Sequence, residues 1–484
     1  MRYYIITIGC QMNRADSERI AGQLEKLGYK EAKTDKQADL VVVTTCGVRQ
    51  SAEDKAYGLI AKIKKQKPKT KIILSGCLSE RADVRRRLKN VVDVWLPAHE
   101  ILNFKFKILN ELQITNYKFQ KNDVNSRRPD SRFPIPNSKN PGNCKYLNIS
   151  PKYNSKFSAY VPIGNGCNNF CAYCVVPYAR GREVYRPAEE IIAEVKDLVK
   201  KGYKEITLIA QNVNSYRSKF SIFNFQFSNN FQLPNSKTIN FAQLLKIVNQ
   251  IPGDFWIRFA TSHPKDMSDE LIKTIGECEK VCEHVHLPAQ AGDNVVLKNM
   301  NRKYTREDYL KLIKKIKLAI PKRVADRQKL IVNSQLSNVW SPAVSITTDI
   351  IVGFPGETKA QFNNTAKLFK EVKFDMAYIA QYSPRPGTVA EKMDNNVPKP
   401  EKKRREEELM KILRKTALAN NQEYLGKTVE ILVDGKSKSG EWLGKTRTFK
   451  VVAIKKSKKI NLLGKFIRVK IISVKDFGME GEII

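Results

Sequence analysis

The sequence predicts an α/β fold in three parts: an N-terminal open parallel α/β sheet, a central β/α barrel and a C-terminal small antiparallel β-barrel. Three observations carry that expectation. Short apolar strands alternate with amphipathic helical runs through roughly the first hundred residues and again from 158 to 398, the pattern of βαβ units around parallel sheets. From Glu423 onward the helical period is lost, and short strands are separated by Gly and Lys clusters. At 484 residues the chain also exceeds what one core organises, so two to four domains are expected.

In the N-terminal part, strands are expected at 3–8 (YYIITI), 39–45 (DLVVVTT), 71–75 (KIILS) and 91–95 (VVDVW), with helices such as 16–27 and 50–65 between them. Cys10, Cys46 and Cys77 each stand one or two residues past the end of one of these strands. Ligands of an open parallel sheet sit at its carboxyl edge, so the three thiols are expected to converge there as a three-thiolate site. The competing reading is three unrelated buried thiols. The stretch 115–156, rich in Pro, Asn, Ser and basic residues, reads as a linker or insertion, with Cys144 a bystander inside it.

The second β/α series has strands expected at 158–164, 205–210, 255–260, 284–287, 344–352 and 375–382, with helices such as 187–201 and 268–280. Six strands suit a partial or full barrel whose active site lies at the strand carboxyl ends. The first strand leads into GCNNFCAYCVVPYARGRE, in which Cys167, Cys171 and Cys174 have Cys-x3-Cys-x2-Cys spacing. A structural zinc site is closed by four ligands, and iron–sulfur clusters on short cysteine runs normally use four thiolates. Three thiolates leave one metal position open to something else, unless a distant Cys or His completes a zinc knuckle. The stretches 217–238 and 321–342 read as loop insertions, 399–422 as a charged connecting helix. Strands are then expected at TVEILVDG, TRTFKVVAI, KFIRVKII and EGEII.

Lys and Arg number 86 against 49 Asp and Glu, a net charge of +37, which favours a polyanionic partner through counterion release. The tail 423–484 carries 14 Lys and Arg and 7 Asp and Glu, as an RNA-binding appendage would; a structural cap with solubilising lysines is the alternative. On that view the tail grips phosphates, and its deletion should weaken RNA binding and spare the catalytic parts. No apolar run approaches the ~18 residues of a membrane span, and the start does not resemble a secretory signal, so a cytoplasmic protein without membrane contact is expected. There, cysteines serve as metal ligands or packed thiols rather than disulfides. Cys278 and Cys282, at i and i+4 of an expected helix, read as packed thiols; His99, His263, His284 and His286 form no metal-spaced pair.

With these residues assembled, the chain resembles the radical S-adenosylmethionine methylthiotransferases, and within them the tRNA-modifying MiaB type. The resemblance rests on GCQMNRADSE (9–18), TTCGVRQSAEDK (44–55), SGCLSE (75–80), the GCNNFCAYC motif, AQNVNSY (210–216), RFATSHPKDMSDELI (258–272), HLPAQAGDNVVLKNMNRKYTREDYL (286–310), TTDIIVGFPGET (347–358) and YSPRPGT (382–388). It implies a methylthiotransferase domain over 1–114, a radical S-adenosylmethionine core over 157–398 and a TRAM domain over 423–484. It also implies one 4Fe-4S cluster on Cys167, Cys171 and Cys174, whose open iron takes S-adenosylmethionine, and an auxiliary 4Fe-4S cluster on Cys10, Cys46 and Cys77, which carries the sulfur. Replacing an aromatic C–H by C–S needs a hydrogen abstractor stronger than any side chain, so the cofactor brings the chemistry. The implied product is 2-methylthio-isopentenyl-adenosine beside the tRNA anticodon, at two S-adenosylmethionine molecules per turnover. An electron donor and a sulfur source are further partners. Relatives within the family modify threonylcarbamoyl-adenosine or a ribosomal-protein aspartate; a non-catalytic iron–sulfur RNA-binding or redox-sensing protein is the alternative of another class.

By the same resemblance Tyr173 lies near the cofactor's adenine, while Ala210, Gln211, Asn212, Gly353, Gly356 and Glu357 hold its amino group and ribose. Arg180, Arg182 and Arg186 are candidates for tRNA phosphates. The chain departs from the family's usual HLPVQSGS with HLPAQAGD, so Asp293 places a charge near a substrate-facing loop; 321–342 is also longer than usual.

Overall fold

The computed structural model describes residues 1–104, 108, 144–219, 238–320, 344–455 and 460–484. Most of the 115–156 linker, 220–237 of one insertion and all of 321–342 lie outside them. The chain forms two compact units, one of residues 1–154, 164–186 and 383–391, the other of 155–163, 187–382 and 392–484.

The first unit holds a five-stranded parallel sheet of β1 (Arg2–Thr7), β2 (Lys30–Glu31), β3 (Leu40–Thr45), β4 (Lys71–Gly76) and β5 (Val94–Leu96), in the order β2-β1-β3-β4-β5. β3 is the central strand and is buried throughout, which its LVVVTT sequence allows because both faces are covered. Helices Gln11–Lys26 and Gln50–Gln66 connect the strands, the first beginning five residues before its expected start at 16. The last strand is shorter than the expected 91–95 and begins at Val94, after a turn. The same unit contains the cysteine motif, framed by an antiparallel ribbon of Gly164–Asn165 with Val184–Tyr185 and a short helix, Val176–Arg180.

The second unit carries six parallel strands: β6 (Ser158–Pro162), β7 (Glu205–Ile209), β8 (Trp256–Ala260), β9 (His284–His286), β10 (Ser345–Val352) and β11 (Met376–Gln381). They pair as β8-β7-β6 and β9-β10-β11, and an Ile257–Val281 bridge joins the two sheets, giving an open half-barrel in sequence order. Helices including Ala188–Lys200, Asp269–Glu277 and Lys359–Val372 alternate with the strands. Ser268 and Thr358 cap two of them, and Thr358 forms a capping box with Gln361. The expected loop at 217–238 begins and ends as a short antiparallel ribbon, Arg217–Lys219 with Thr238–Asn240.

After the helix Lys399–Gln422, a closed five-stranded barrel follows: β12 (Thr428–Lys436), β13 (Trp442–Thr446), β14 (Val451–Ile454), β15 (Phe466–Lys475) and β16 (Gly478–Ile483), ordered β12-β13-β14-β16-β15. The expected single strand TRTFKVVAI is broken. The chain reverses after Thr446, with Phe449 left-handed at φ 66°, and WLGKT forms a strand that the sequence reading missed. This reversal docks against the amino ends of the half-barrel strands. Arg258 donates to Glu205 at 2.6 Å and to the carbonyls of Thr446 and Arg447 at 2.8 Å. Lys450 pairs with Asp375 at 2.6 Å, and Leu432 packs with Trp256 and Cys282. The barrel is therefore built into this unit, and its deletion would strip buried charges of their partners. Cys278 caps the end of helix Asp269–Glu277 and Cys282 lies beyond it, so the two share no helix face. Among the described residues no helix is long and apolar enough to cross a membrane.

Candidate active site: two thiol triads and a polar strand edge

Because β1, β3 and β4 are neighbours and parallel, their carboxyl ends deliver Cys10, Cys46 and Cys77 to one edge of the first unit. Their loops are in close contact. A Cβ on Gly9 would stand 2.7 Å from that of Cys46, and one on Gly47 would stand 3.2 Å from that of Cys77. Gly76 is required by geometry: at φ 85°, any side chain would meet the Thr45 carbonyl oxygen at 2.3 Å. Asn13 is the hub of this edge. Its fully buried amide donates to the Thr45 carbonyl at 2.7 Å and accepts from the Cys10 thiol at 3.2 Å.

Cys46 and Cys77 are buried, whereas Cys10 reaches solvent. Burial pushes the Cys46 thiol up to about 11, assisted by Cys77 and Cys10. Cys10 is raised by surrounding protein even though it is accessible, the mark of a thiol in a recess, while the Arg180 charge pulls the other way.

Cys167, Cys171 and Cys174 lie in the same unit. Gly166, at φ 81°, lets the motif approach the Arg182 carbonyl, where a Cβ would stand 2.2 Å away. Cys167 donates its N–H to the Gly181 carbonyl, and Ala390 donates to that of Ala172 at 2.8 Å. Burial pushes the Cys167 thiol up to about 11 and raises Cys174, which also feels Cys171, Cys167 and then Cys77. A Cβ on Gly47 would also touch Val175, at 3.3 Å. The two triads are therefore neighbours.

Among the described residues no three His, Cys, Asp or Glu side chains close on a single metal ion. A tetrahedral zinc site would hold all its ligands about 2.0–2.3 Å from one point. A four-iron cluster instead takes each thiolate on a different iron. Two all-cysteine sets of three, desolvated and mutually repelling as thiolates, fit that donor chemistry.

Two of the proposed phosphate contacts, Arg180 and Arg186, are corrected by burial. Arg180 is 4% exposed, and its guanidinium donates to Asp16 at 2.6 Å and Asn165 at 3.1 Å, so it braces the motif on helix Gln11–Lys26. Arg186 is buried as well; Arg182 is exposed, over the Phe170 ring at 4.3 Å. Sequence reading also missed Arg385, which is buried, donates to Gln50 at 2.8 Å and lies 3.3 Å from Glu53. Glu53 in turn holds Arg81 at 2.6 Å. Polar residues on the buried face of the first helix, Asn13 and Asp16, were the available signal.

In the second unit, Ala210, Gln211 and Asn212 follow β7 directly. Among the described residues Gln211 Oε1, Asn212 Oδ1 and Ser262 Oγ are buried without hydrogen-bond partners, while Asn212 Nδ2 donates to Asp266 at 2.7 Å. Thr261 and Gln290, just past β8 and β9, are left-handed at φ 71° and 68°, a strain that side-chain-bearing residues hold chiefly at functional edges. Gly353 and Gly356 follow β10, both at positive φ. Glu357 is occupied as a brace, accepting from the Gly353 N–H at 2.6 Å and from Arg405 at 2.7 Å, so its carboxylate serves the fold. Tyr173 is half-buried in the first unit. Asp293 caps helix Asn294–Asn299 and accepts from Asn364 at 2.8 Å, which accounts for its charge.

Three family models match the chain: Uncharacterized protein family UPF0004 over residues 2–96, the Radical SAM superfamily over 161–327 and the TRAM domain over 422–484. The chain is 40% identical to a tRNA-2-methylthio-N(6)-dimethylallyladenosine synthase of Syntrophomonas wolfei over all of this chain and 98% of the relative. It is 42% identical to the same-named protein of Caldicellulosiruptor saccharolyticus over all of this chain and 92% of the relative. In fold alone, it is similar to the radical S-adenosylmethionine methyltransferase TsrM from Kitasatospora setae, with a TM-score of 0.50 at 12% identity over 81% of this chain and 77% of that one. Full-length identity at this level, with the three domain models in order and both cysteine triads in place, shows that the chain belongs to the MiaB-type radical S-adenosylmethionine methylthiotransferases.

Proposed function

We propose that this enzyme methylthiolates isopentenyl-adenosine in tRNA, giving 2-methylthio-isopentenyl-adenosine. The observation that carries the reading is the pair of neighbouring three-thiol sets in one unit of a chain matching such synthases from end to end. A four-iron cluster on each triad and S-adenosylmethionine, two molecules per product, would supply the radical chemistry, the sulfur and the methyl group. The chain's own residues hold and orient. Asn13 and Arg180 position Cys10, and the Arg180–Asp16 pair locks the second triad's segment to the first helix. The acceptor oxygens of Gln211, Asn212 and Ser262 suit the amino group of S-adenosylmethionine. In the second unit Ala210 and the turn Gly353–Gly356 are further candidates to contact it, and in the first unit Tyr173 is another. Exposed Lys427, Lys436, Lys438 and Lys470 on the small barrel, with Arg182, meet tRNA phosphates. An electron donor and a sulfur source complete the reaction, and the cytoplasm, where tRNA resides, is its setting.

The test is mass spectrometry of tRNA nucleosides from cells with and without the protein. Loss of 2-methylthio-isopentenyl-adenosine is expected; its persistence would refute the assignment. Anaerobically purified protein should carry about eight iron and eight sulfide, the sum of two four-iron clusters. Cys171→Ala should abolish cleavage of S-adenosylmethionine, whereas Cys46→Ala should spare cleavage and abolish sulfur transfer.

A further inference from the structure

The inner face of the half-barrel carries a polar chain that none of these roles uses. Along β9, β10 and β11, His284, His286, Thr347, Asp349 and Tyr378 share one face by strand alternation and register, while intervening residues such as Val285, Thr348 and Ala377 are buried. His284 Nε2 lies 3.0 Å from Thr347 Oγ1, which lies 3.0 Å from His286 Nδ1; His286 Nε2 lies 3.3 Å from Asp349 Oδ2. Proton counting gives this chain one direction. The carboxylate only accepts, so in the neutral imidazole His286 Nε2 carries the proton and His286 Nδ1 accepts from the Thr347 hydroxyl. That hydroxyl has one proton to give, so its oxygen accepts from His284 Nε2. His284 is anchored at the barrel floor, stacked on Phe449 with 4.8 Å between ring centroids, and burial keeps it neutral.

The result is a pinned Asp349 carboxylate on an accessible wall. Its side chain is 38% exposed, the neighbouring Tyr378 is 46% exposed, and among the described residues the second carboxylate oxygen has no hydrogen-bond partner. A fixed acceptor beside an aromatic face suits a planar ring with an N–H at its edge. We infer that Asp349, oriented through His286 and Thr347, accepts the exocyclic N–H of an adenine ring lying against Tyr378. The inference rests on the function proposed above, which brings two adenines to the enzyme: the target base, with one N–H on its substituted amino group, and the cofactor, with two.

The test measures dissociation constants on anaerobically reconstituted protein. The probes are an anticodon stem-loop RNA bearing isopentenyl-adenosine and S-adenosylmethionine, each paired with an analogue whose N6 carries two substituents and hence no N–H. The wild type should prefer the N–H form of one ligand by roughly tenfold, as one charge-assisted hydrogen bond would give, and Asp349→Ala should erase that preference. A lost preference in the stem-loop arm assigns the site to the tRNA base; in the cofactor arm, to the cofactor's adenine. No preference in the wild type, or one that survives Asp349→Ala, overturns the inference. Asp349→Asn keeps the shape and removes the charge, so it should shrink the preference and answers the case in which the alanine variant does not fold. Methylthio product formed by the wild type in the same preparation reads the proposed function separately.

Discussion

Arg447→Ala probes how the small barrel is held to the half-barrel. The Arg447 side chain reaches the Glu283 carboxylate at 2.9–3.2 Å and donates to the carbonyls of Glu279 at 2.8 Å and Val281 at 2.7 Å. Glu283 is 0% exposed. Removing one partner of such a pair leaves a desolvated charge uncompensated, which costs about 3–5 kcal/mol, against a total stability of about 5–15 kcal/mol. At about 1.4 kcal/mol per tenfold, the unfolded population should rise by two to nearly four orders of magnitude. A urea titration followed by tryptophan fluorescence reports it, since Trp256 and Trp442 are both buried in this unit. In the variant, burial should raise the folded pKa of Glu283 above its unfolded value. The deficit should then be small at pH 4, grow as pH rises, and be complete by pH 8. Adding Glu283→Gln should recover part of the loss. A deficit below about 1 kcal/mol, or one independent of pH, would refute the docking argument.

Arg180→Ala should also destabilise by about 3–5 kcal/mol, through Asp16, which is 0% exposed. It should slow alkylation of Cys10 in metal-free protein at pH 8, because a charge that favours the thiolate is gone; unchanged melting and alkylation would count against the brace. Gly76→Ala forces a Cβ to 2.3 Å from the Thr45 carbonyl at positive φ, so iron content and melting temperature should both fall, while Gly28→Ala, at an open position, should leave iron content intact. Burial holds the His263 imidazole down at about 2 from an ordinary 6.5. The unfolded chain therefore binds the extra proton below pH 6.5, and stability falls with acid by up to about 1.4 kcal/mol per pH unit. His263→Gln should flatten that slope between pH 6 and 4; an unchanged slope would place the acid sensitivity elsewhere.

What could be read from the sequence is what is local in it. Alternating apolar runs and helical periods mark parallel strands, and a cysteine just past each of three strands must arrive at a carboxyl edge once those strands pair. The Cys-x3-Cys-x2-Cys run confines its thiols to one loop whatever surrounds it. Sheet order was decided by tertiary packing: only because β1, β3 and β4 are adjacent do Cys10, Cys46 and Cys77 share one site.

The partners of charged residues were decided in the same way. Arg180 stands in the run YARGRE and reads as a contact for tRNA phosphates, yet it is buried against Asp16, 164 residues away. Arg385 meets Glu53 across 332 residues, and Arg447 in a lysine-rich tail meets Glu283 across 164. A charged side chain reads the same whether it will be solvated or buried. Which outcome holds depends on whether an opposite charge is delivered to it by a distant element, and that is settled only when desolvation and pairing are balanced in the folded chain.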